Sequence, residues 1–333
     1  FDDVIRISRE TISSGHQSQV IYNLLGYSLS CIKRDHEAID IYLEGLKIYP
    51  NDADLNNNIA LSFVNLKDYK KAENFINKAT SLNPNKSEIH YTSGVISNAL
   101  GNKKKALYSF KKSFNCNPEN FDALLEVGNI YKDLKKFNDA VAIYRKLGIL
   151  SPSNPLAKYN EAAIHIRNGR FNFGWQLYDK NLKSNLRQFI NGYLEEETDL
   201  WDGETINGKL LIYGEQGLGD QIMFGSLIYD LLEVHKNVAI KVDYRLKTIF
   251  QRTFPEIDVF DENYDSSKIG HSHYLAMGSL CKYFRSEKQK FENKKLIKFV
   301  VNSQLKKEID HTFLNNSLLK IGLSWNSISE KNG

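Results

Sequence analysis

Residues 213–225 read YGEQGLGDQIMFG, and their spacing is that of a turn built to hold a small ligand. An apolar run, LLIY at 210–213, comes just before; Gly214, Gly217 and Gly219 make the turn; a long amphipathic stretch follows. Strand, glycine turn and helix together aim backbone N–H groups at a phosphate or a sugar. Two phosphate fingerprints are testable by letter. Gly214 and Gly219 have the glycine spacing of G-x-x-x-x-G-K-[ST], but Asp220 and Gln221 follow, and an aspartate in the lysine's place repels a triphosphate. Gly217 and Gly219 begin a G-x-G-x-x-G pattern, but Ile222 stands where its third glycine belongs. Metal chemistry has little to build on. His271 and His273 form HSH with no third ligand nearby, and Asp52 and Asp54 flank a helix start, where capping is the expected role. No serine or cysteine nucleophile motif is present, and no metal site is expected.

The elements that must position this turn alternate. KLLIY (209–213), VAIKV (238–242), IDVF (257–260), SHYLA (272–276) and KIGLSW (320–325) read as strands. Residues 221–235, 244–254, 278–284 and 303–314 read as helices between them. Strands alternating with helices predict a parallel sheet covered on both faces, with ligands at the carboxyl ends of its strands. The glycine turn lies at such an end. Upstream, residues 189–208 read as a turn-rich linker in which Trp201 packs a seam or a local core.

The first half has a different rhythm. Pro50, Pro84, Pro118 and Pro152 are each 34 residues apart. On the same comb lie Gly26, Ala60, Gly94 and Gly128, then Ala38, Ala72, Ala106 and Ala140, then Tyr42, Ile76, Phe110 and Tyr144. Small residues let two antiparallel helices approach, a large one fills the space between units, and proline stops the second helix. This pattern resembles the tetratricopeptide repeat, whose period is 34. Repeats are predicted at 19–52, 53–86, 87–120 and 121–154, with a degenerate fifth at 155–188 keeping Gly174 and Tyr178. Residues 1–18 read as the second helix of a preceding unit, so the array spans 1–188. Such arrays present a groove lined by the first helix of each unit. Asn23, Tyr27, Asn57, Tyr91, Asn98 and Asn129 fall on that face. Asparagine both donates to and accepts from a peptide backbone, so a protein or peptide partner fits the groove. A surface that is merely rich in asparagine is the competing reading.

Composition excludes some classes. Over 333 residues the formal charge is +4 with acids and bases interspersed, too balanced to predict a nucleic-acid partner. No run reaches the roughly 18 apolar residues of a membrane span. Cys31, Cys116 and Cys281 are far apart, which suits a reducing compartment, and a cytoplasmic location is expected.

GRFNFGWQLYDK, LWDGETINGKLLIYGEQGLGDQIMF, HYLAMGSL and KIGLSW together resemble a family of bacterial repeat-containing glycosyltransferases, similar in their second half to heptosyltransferases. The resemblance covers about 168–326. It implies an α plus α/β chain: the helical solenoid, a Rossmann-like subdomain at 209–319 forming the first half of a GT-B fold, and at 320–333 the start of a truncated second subdomain. The implied reaction is metal-independent, inverting sugar transfer to a protein or glycan hydroxyl. The donor is a nucleotide sugar acting as substrate, and no cofactor is implied. Carried over, Asp220 is the general base that takes the acceptor hydroxyl's proton, worth about 10²–10⁴-fold. The bland alternative is that Asp220 caps the helix. Gly217, Leu218, Gly219 and Gln221 are placed beside the substrate. Glu215 and Gln216 either contact it or fix the turn. Ser324, Trp325 and Asn326 stand near the donor's phosphates. The chain is expected to be a fragment, inactive by itself. The alternative function is a repeat scaffold for protein–protein interaction with an idle α/β half.

Overall fold

The computed structural model describes residues 1–179, 199–215, 217–292 and 298–313. Two compact units divide the chain, one holding the helical array and the other the sheet.

The helical unit contains α1 (Asp2–Ser13), α2 (Gln19–Cys31), α3 (Asp35–Ile48), α4 (Ala53–Asn65), α5 (Tyr69–Leu82), α6 (Ser87–Ala99), α7 (Lys103–Cys116), α8 (Phe121–Asp133), α9 (Phe137–Leu150), α10 (Pro155–Arg167) and α11 (Phe171–Asp179). Local chemistry starts the helices. Ser18, Asp52, Asp68, Asn102, Asn120 and Asn154 each accept a backbone N–H of the first turn of α2, α4, α5, α7, α8 and α10. Pro155 opens α10, where its missing N–H costs nothing. The turns inside the pairs repeat too. Lys33, Lys67, Gly101, Lys135 and Gly169, each 34 residues after the last, all have φ between 58° and 80°. A left-handed residue closes every pair, and in three of them lysine carries a strain that glycine avoids.

The small and large residues of the comb meet as their spacing requires. A methyl group added to Gly94 would lie 2.6 Å from the Phe110 ring, and one on Gly128 would lie 2.5 Å from Tyr144. The helices cross so closely that the ring lies on bare backbone. Gly174 does the same against Ile166 in the fifth unit. Tyr42, Ile76, Phe110 and Tyr144 are buried, as are Ala38, Ala72, Ala106 and Ala140. First helices touch one another along the array, α2 with α4, α4 with α6 and α8 with α10, so they form the inner face.

The second unit has β1 (Asp199–Leu200), β2 (Leu210–Tyr213), α12 (Leu218–Gly225), α13 (Leu227–Val234), β3 (Val238–Val242), α14 (Tyr244–Thr253), β4 (Asp258–Asp261), β5 (His273–Ala276), α15 (Leu280–Phe284) and α16 (Ser303–Phe313). All pairings are parallel, in the order β1-β5-β2-β3-β4. Both β2 and β3 are buried at every residue, as a strand covered on two faces must be. Two expectations are corrected. Residues 221–235 form two helices that break at Ser226, whose hydroxyl donates back to the Met223 carbonyl. The expected linker contributes β1, which pairs with β5. Trp201 follows β1 and is a local core residue: its indole donates to the Glu204 carbonyl, and its ring lies 5.0 Å from that of Tyr283. The strand expected at 320–325 lies outside the described residues. Among the described residues no helix is long and apolar enough to cross a membrane.

Candidate functional site

In the sheet unit, the chain runs β2, β3, β4 in one direction and then returns to place β5 on the other side of β2. The strand order therefore reverses between β2 and β5, and the carboxyl ends of strands at such a reversal are where parallel sheets bind ligands. The glycine turn stands there, and two buried side chains fix it. Glu215 is 1% exposed, and its Oε1 accepts the Gly278 N–H at 3.1 Å, tying the β2 turn to the loop after β5. Gln221 is 2% exposed, and its Oε1 accepts the Asp243 N–H at 3.0 Å, tying the same turn to the loop after β3. Gly214 is glycine because a β-carbon there would lie 2.6 Å from the Gln221 carboxamide. Glu215 and Gln221 thus brace the turn.

Gly217 and Gly219 are exposed, and Leu218 and Asp220 are half-buried. Gly217, not Asp220, caps α12, and it does so without a side-chain bond. Asp220 stands at the third helical position, which corrects the capping alternative. Among the described residues its carboxylate accepts no hydrogen bond and joins no ion pair. Gln216, Ser324, Trp325 and Asn326 lie outside the described residues.

The helical unit carries its polar side chains on the first helices. Asn58 on α4 donates to Asn23 Oδ1 on α2 at 2.7 Å, and Asn57 donates to Asn58 Oδ1 at 3.4 Å. These three border a cavity of about 530 Å³ with Val20, Asp54, Lys86 and Glu88. Lys86 pairs with Asp54 at 2.6 Å. Asn57 is 7% exposed, and its Oδ1 has no hydrogen-bond partner among the described residues. Tyr27 is 59% exposed, with Val20, Leu24 and Leu61 exposed on the same helices. Further along, Tyr91 is half-buried and packs edge-on against Phe110. Asn98 accepts from Lys103, which also reaches Asp133. Asn129 accepts the Tyr144 hydroxyl at 2.9 Å and donates to Glu126 at 3.4 Å.

Of the six predicted groove residues, Asn23 and Asn57 meet at one cavity, whereas Asn98 and Asn129 are engaged within their own units. Sequence reasoning missed Asn58 and Glu126. Asn58 directly follows the groove position of Asn57 and completes the carboxamide chain. Glu126 lies one turn beyond Asp122, and burial, with the like charges of Asp133 and Asp122, holds its carboxyl above the usual range.

Residues 53–86 and 121–147 match the model of the tetratricopeptide repeat. The chain is similar to Protein FlbA of Caulobacter vibrioides, 26% identical over 218 residues, which is 63% of this chain and 36% of that protein. It is also similar to BBSome complex member BBS4 of Bos taurus, 28% identical over 114 residues, covering 34% of this chain and 22% of that one. Among solved structures, it resembles MamA at a TM-score of 0.45 and 19% identity, over 49% of this chain and 90% of that one. The chain spans about a third or less of the length of these two curated relatives. The first part of the chain is an all-helical tetratricopeptide-repeat solenoid, and a short parallel-sheet region follows it.

Proposed function

We propose that the chain is a protein-interaction scaffold whose repeats hold an extended peptide segment of a partner. The observation that carries this reading is the carboxamide chain Asn23–Asn58–Asn57 bordering the inner-face cavity. A peptide backbone offers the donors and acceptors such amides lack. Tyr27, Leu24 and Leu61 give an apolar side chain a seat beside them. Charge selects the partner. Glu88 and Asp122 are exposed on successive first helices, and neither has an ion-pair cation among the described residues, so the segment carries a basic residue next to its apolar anchor. The matched repeat model supports this reading. To test it, peptides are selected by display against the full chain and measured by fluorescence anisotropy. Basic, apolar-anchored sequences that lose about tenfold or more in affinity on Tyr27→Ala with Asn58→Ala are expected. Selected peptides indifferent to that double substitution overturn it.

A second reading, sugar transfer at the carboxyl ends of β2 and β5, is favoured by one observation. Asp220 stands in the first turn of α12, just after the β2 turn, and among the described residues its carboxylate has no hydrogen-bond or ion-pair partner. In this reading Asp220 receives the proton of an acceptor hydroxyl as that oxygen bonds to the anomeric carbon of a nucleotide sugar, and the anomeric carbon–phosphate oxygen bond breaks to release the nucleotide with its phosphates. Transfer from labelled nucleotide sugars that falls 10²-fold or more in Asp220→Asn, with melting unchanged, supports the base role; retained transfer removes it.

A further inference from the structure

The repeat comb also shows where the chain breaks its own rule. Leu25, Ile59 and Val127 occupy one core position of the first, second and fourth units, and Leu29, Phe63 and Tyr131 occupy the position one turn on. The third unit uses small Ser93 and Ser97 at these places. The fifth unit places Glu161 and His165 there, 7% and 4% exposed. Burying a carboxylate in a helix–helix seam costs several kcal/mol unless it is paired. The pairing comes from the neighbouring unit: Arg145 Nε on α9 donates to Glu161 Oε1 at 2.7 Å, and His165 Nε2 lies 3.3 Å from the same oxygen. His165 is held from the other side by the edge-on ring of Phe173, 4.7 Å away.

This arrangement pins one edge of a guanidinium and leaves the other free. The Nη donors of Arg145 have no partner among the described residues, and its side chain is 55% exposed. Arg145 lines a cavity of about 500 Å³ between α9 and α10, together with Arg170, His165, Asn138 and Asn168. Among the described residues that line it none is a carboxylate. The side chains of Arg170, Asn138 and Asn168 also make no hydrogen bond among the described residues. The floor is apolar, Val141 and Ile164, and Ala142 is the small residue that keeps it open, at a position where the third unit carries Tyr108.

We propose that this cavity is a binding site for an oxyanion group, carboxylate or phosphate, of a ligand whose adjoining carbons lie on Val141 and Ile164. Arg145, preset by Glu161, offers two parallel N–H donors, the geometry that matches an oxyanion's paired oxygens. Arg170 supplies the second positive charge and the two asparagines supply neutral donors. The site is formed by α9, α10 and the turn after α10, and it does not depend on the peptide reading of the inner face.

The test is a histidine-selective NMR titration of the full chain at fixed pH, with inorganic phosphate in one arm and propionate in the other. The chain has eight histidines, and Phe173→Leu identifies the His165 signal by removing its ring-current shift. A saturable shift of the His165 signal is expected in at least one arm, and the arm with the tighter saturation names the ligand class. Arg170→Gln leaves the Arg145–Glu161 pair intact and should weaken binding about tenfold or more. Ala142→Leu fills the cavity and should abolish the shift while circular dichroism stays unchanged. A His165 signal that responds to neither anion overturns the proposal, as does a shift that survives both substitutions.

Discussion

The two units prepare binding surfaces in opposite ways. In the helical unit each pair of helices is fixed by its own small-on-large contact, such as Gly128 on Tyr144, and the polar groups are strung along a face that several units share. In the sheet unit one turn carries the candidate chemistry, and two buried side chains, Glu215 and Gln221, fix it to neighbouring loops. A distributed surface loses affinity in small steps when single residues change. A concentrated one depends on a few braces, so its failures are abrupt. The strain also differs: the array repeats a mild one, a left-handed lysine in three turns, whereas the sheet buries a full ion pair, Arg285 with Asp230 at 2.8 Å.

That ion pair gives the largest expected effect. Asp230→Ala leaves the Arg285 charge buried and should destabilise the sheet unit by about 3–5 kcal/mol. In urea, an early change in tryptophan fluorescence should appear while most of the helical signal persists to the wild-type midpoint; a helical transition that shifts together with the fluorescence would contradict the division into two units, and no shift in either would contradict the weight given to the ion pair. Next comes Gly128→Val, which drives a side chain into the Tyr144 ring and should cost about 1–3 kcal/mol, this time in the helical transition alone.

Much of the first unit was legible because its packing is local. Close helix approach needs a small residue opposite a large one, and a chain of like units must repeat that pair, so Gly26, Gly94 and Gly128 could be matched to Tyr42, Phe110 and Tyr144 from letters alone. Even the degenerate fifth unit kept Gly174. The sheet's strands were legible as apolar runs, but their order was not, since the return of β5 beside β2 is set by long-range pairing. The two-residue strand β1 escaped because Asp199 and Leu200 carry no alternation to read. Glu215 stayed open between contacting a substrate and fixing the turn, and Gln221 was placed beside the substrate, for the same reason: a polar residue in a turn becomes a brace only when its partner, Gly278 or Asp243, arrives from elsewhere in the chain. The buried Glu161 and His165 were readable by aligning the five units, as the two places where a core position turns ionisable.

A smaller effect sharpens the electrostatics of the array. Because Glu126 has a raised pKa in the folded protein, the fold binds its proton more tightly than the unfolded chain does, and the carboxylate weakens folding as pH rises through that folded value. Glu126→Gln is neutral at every pH. It should therefore raise the helical unit's urea midpoint at pH 7 and leave it unchanged at pH 3, where both side chains are uncharged; equal gains at both values would mean that charge is not the cause. The smallest effect is stabilising. Lys67→Gly relieves one left-handed turn and should add about 0.5–1 kcal/mol, a rise of roughly 2 °C in the helical melt; a lower melting point would show that the lysine makes a contact worth more than its strain.

The account rests most on the claim that the inner face of the repeats, and not the sheet turn, engages the partner. The most direct measurement is the affinity of one display-selected peptide, by anisotropy, for three full-length chains: wild type, Tyr27→Ala with Asn58→Ala, and Asp220→Asn. The predicted result is a loss of about tenfold or more in the double variant and no change in Asp220→Asn. Unchanged binding in the double variant, or a loss confined to Asp220→Asn, would contradict it.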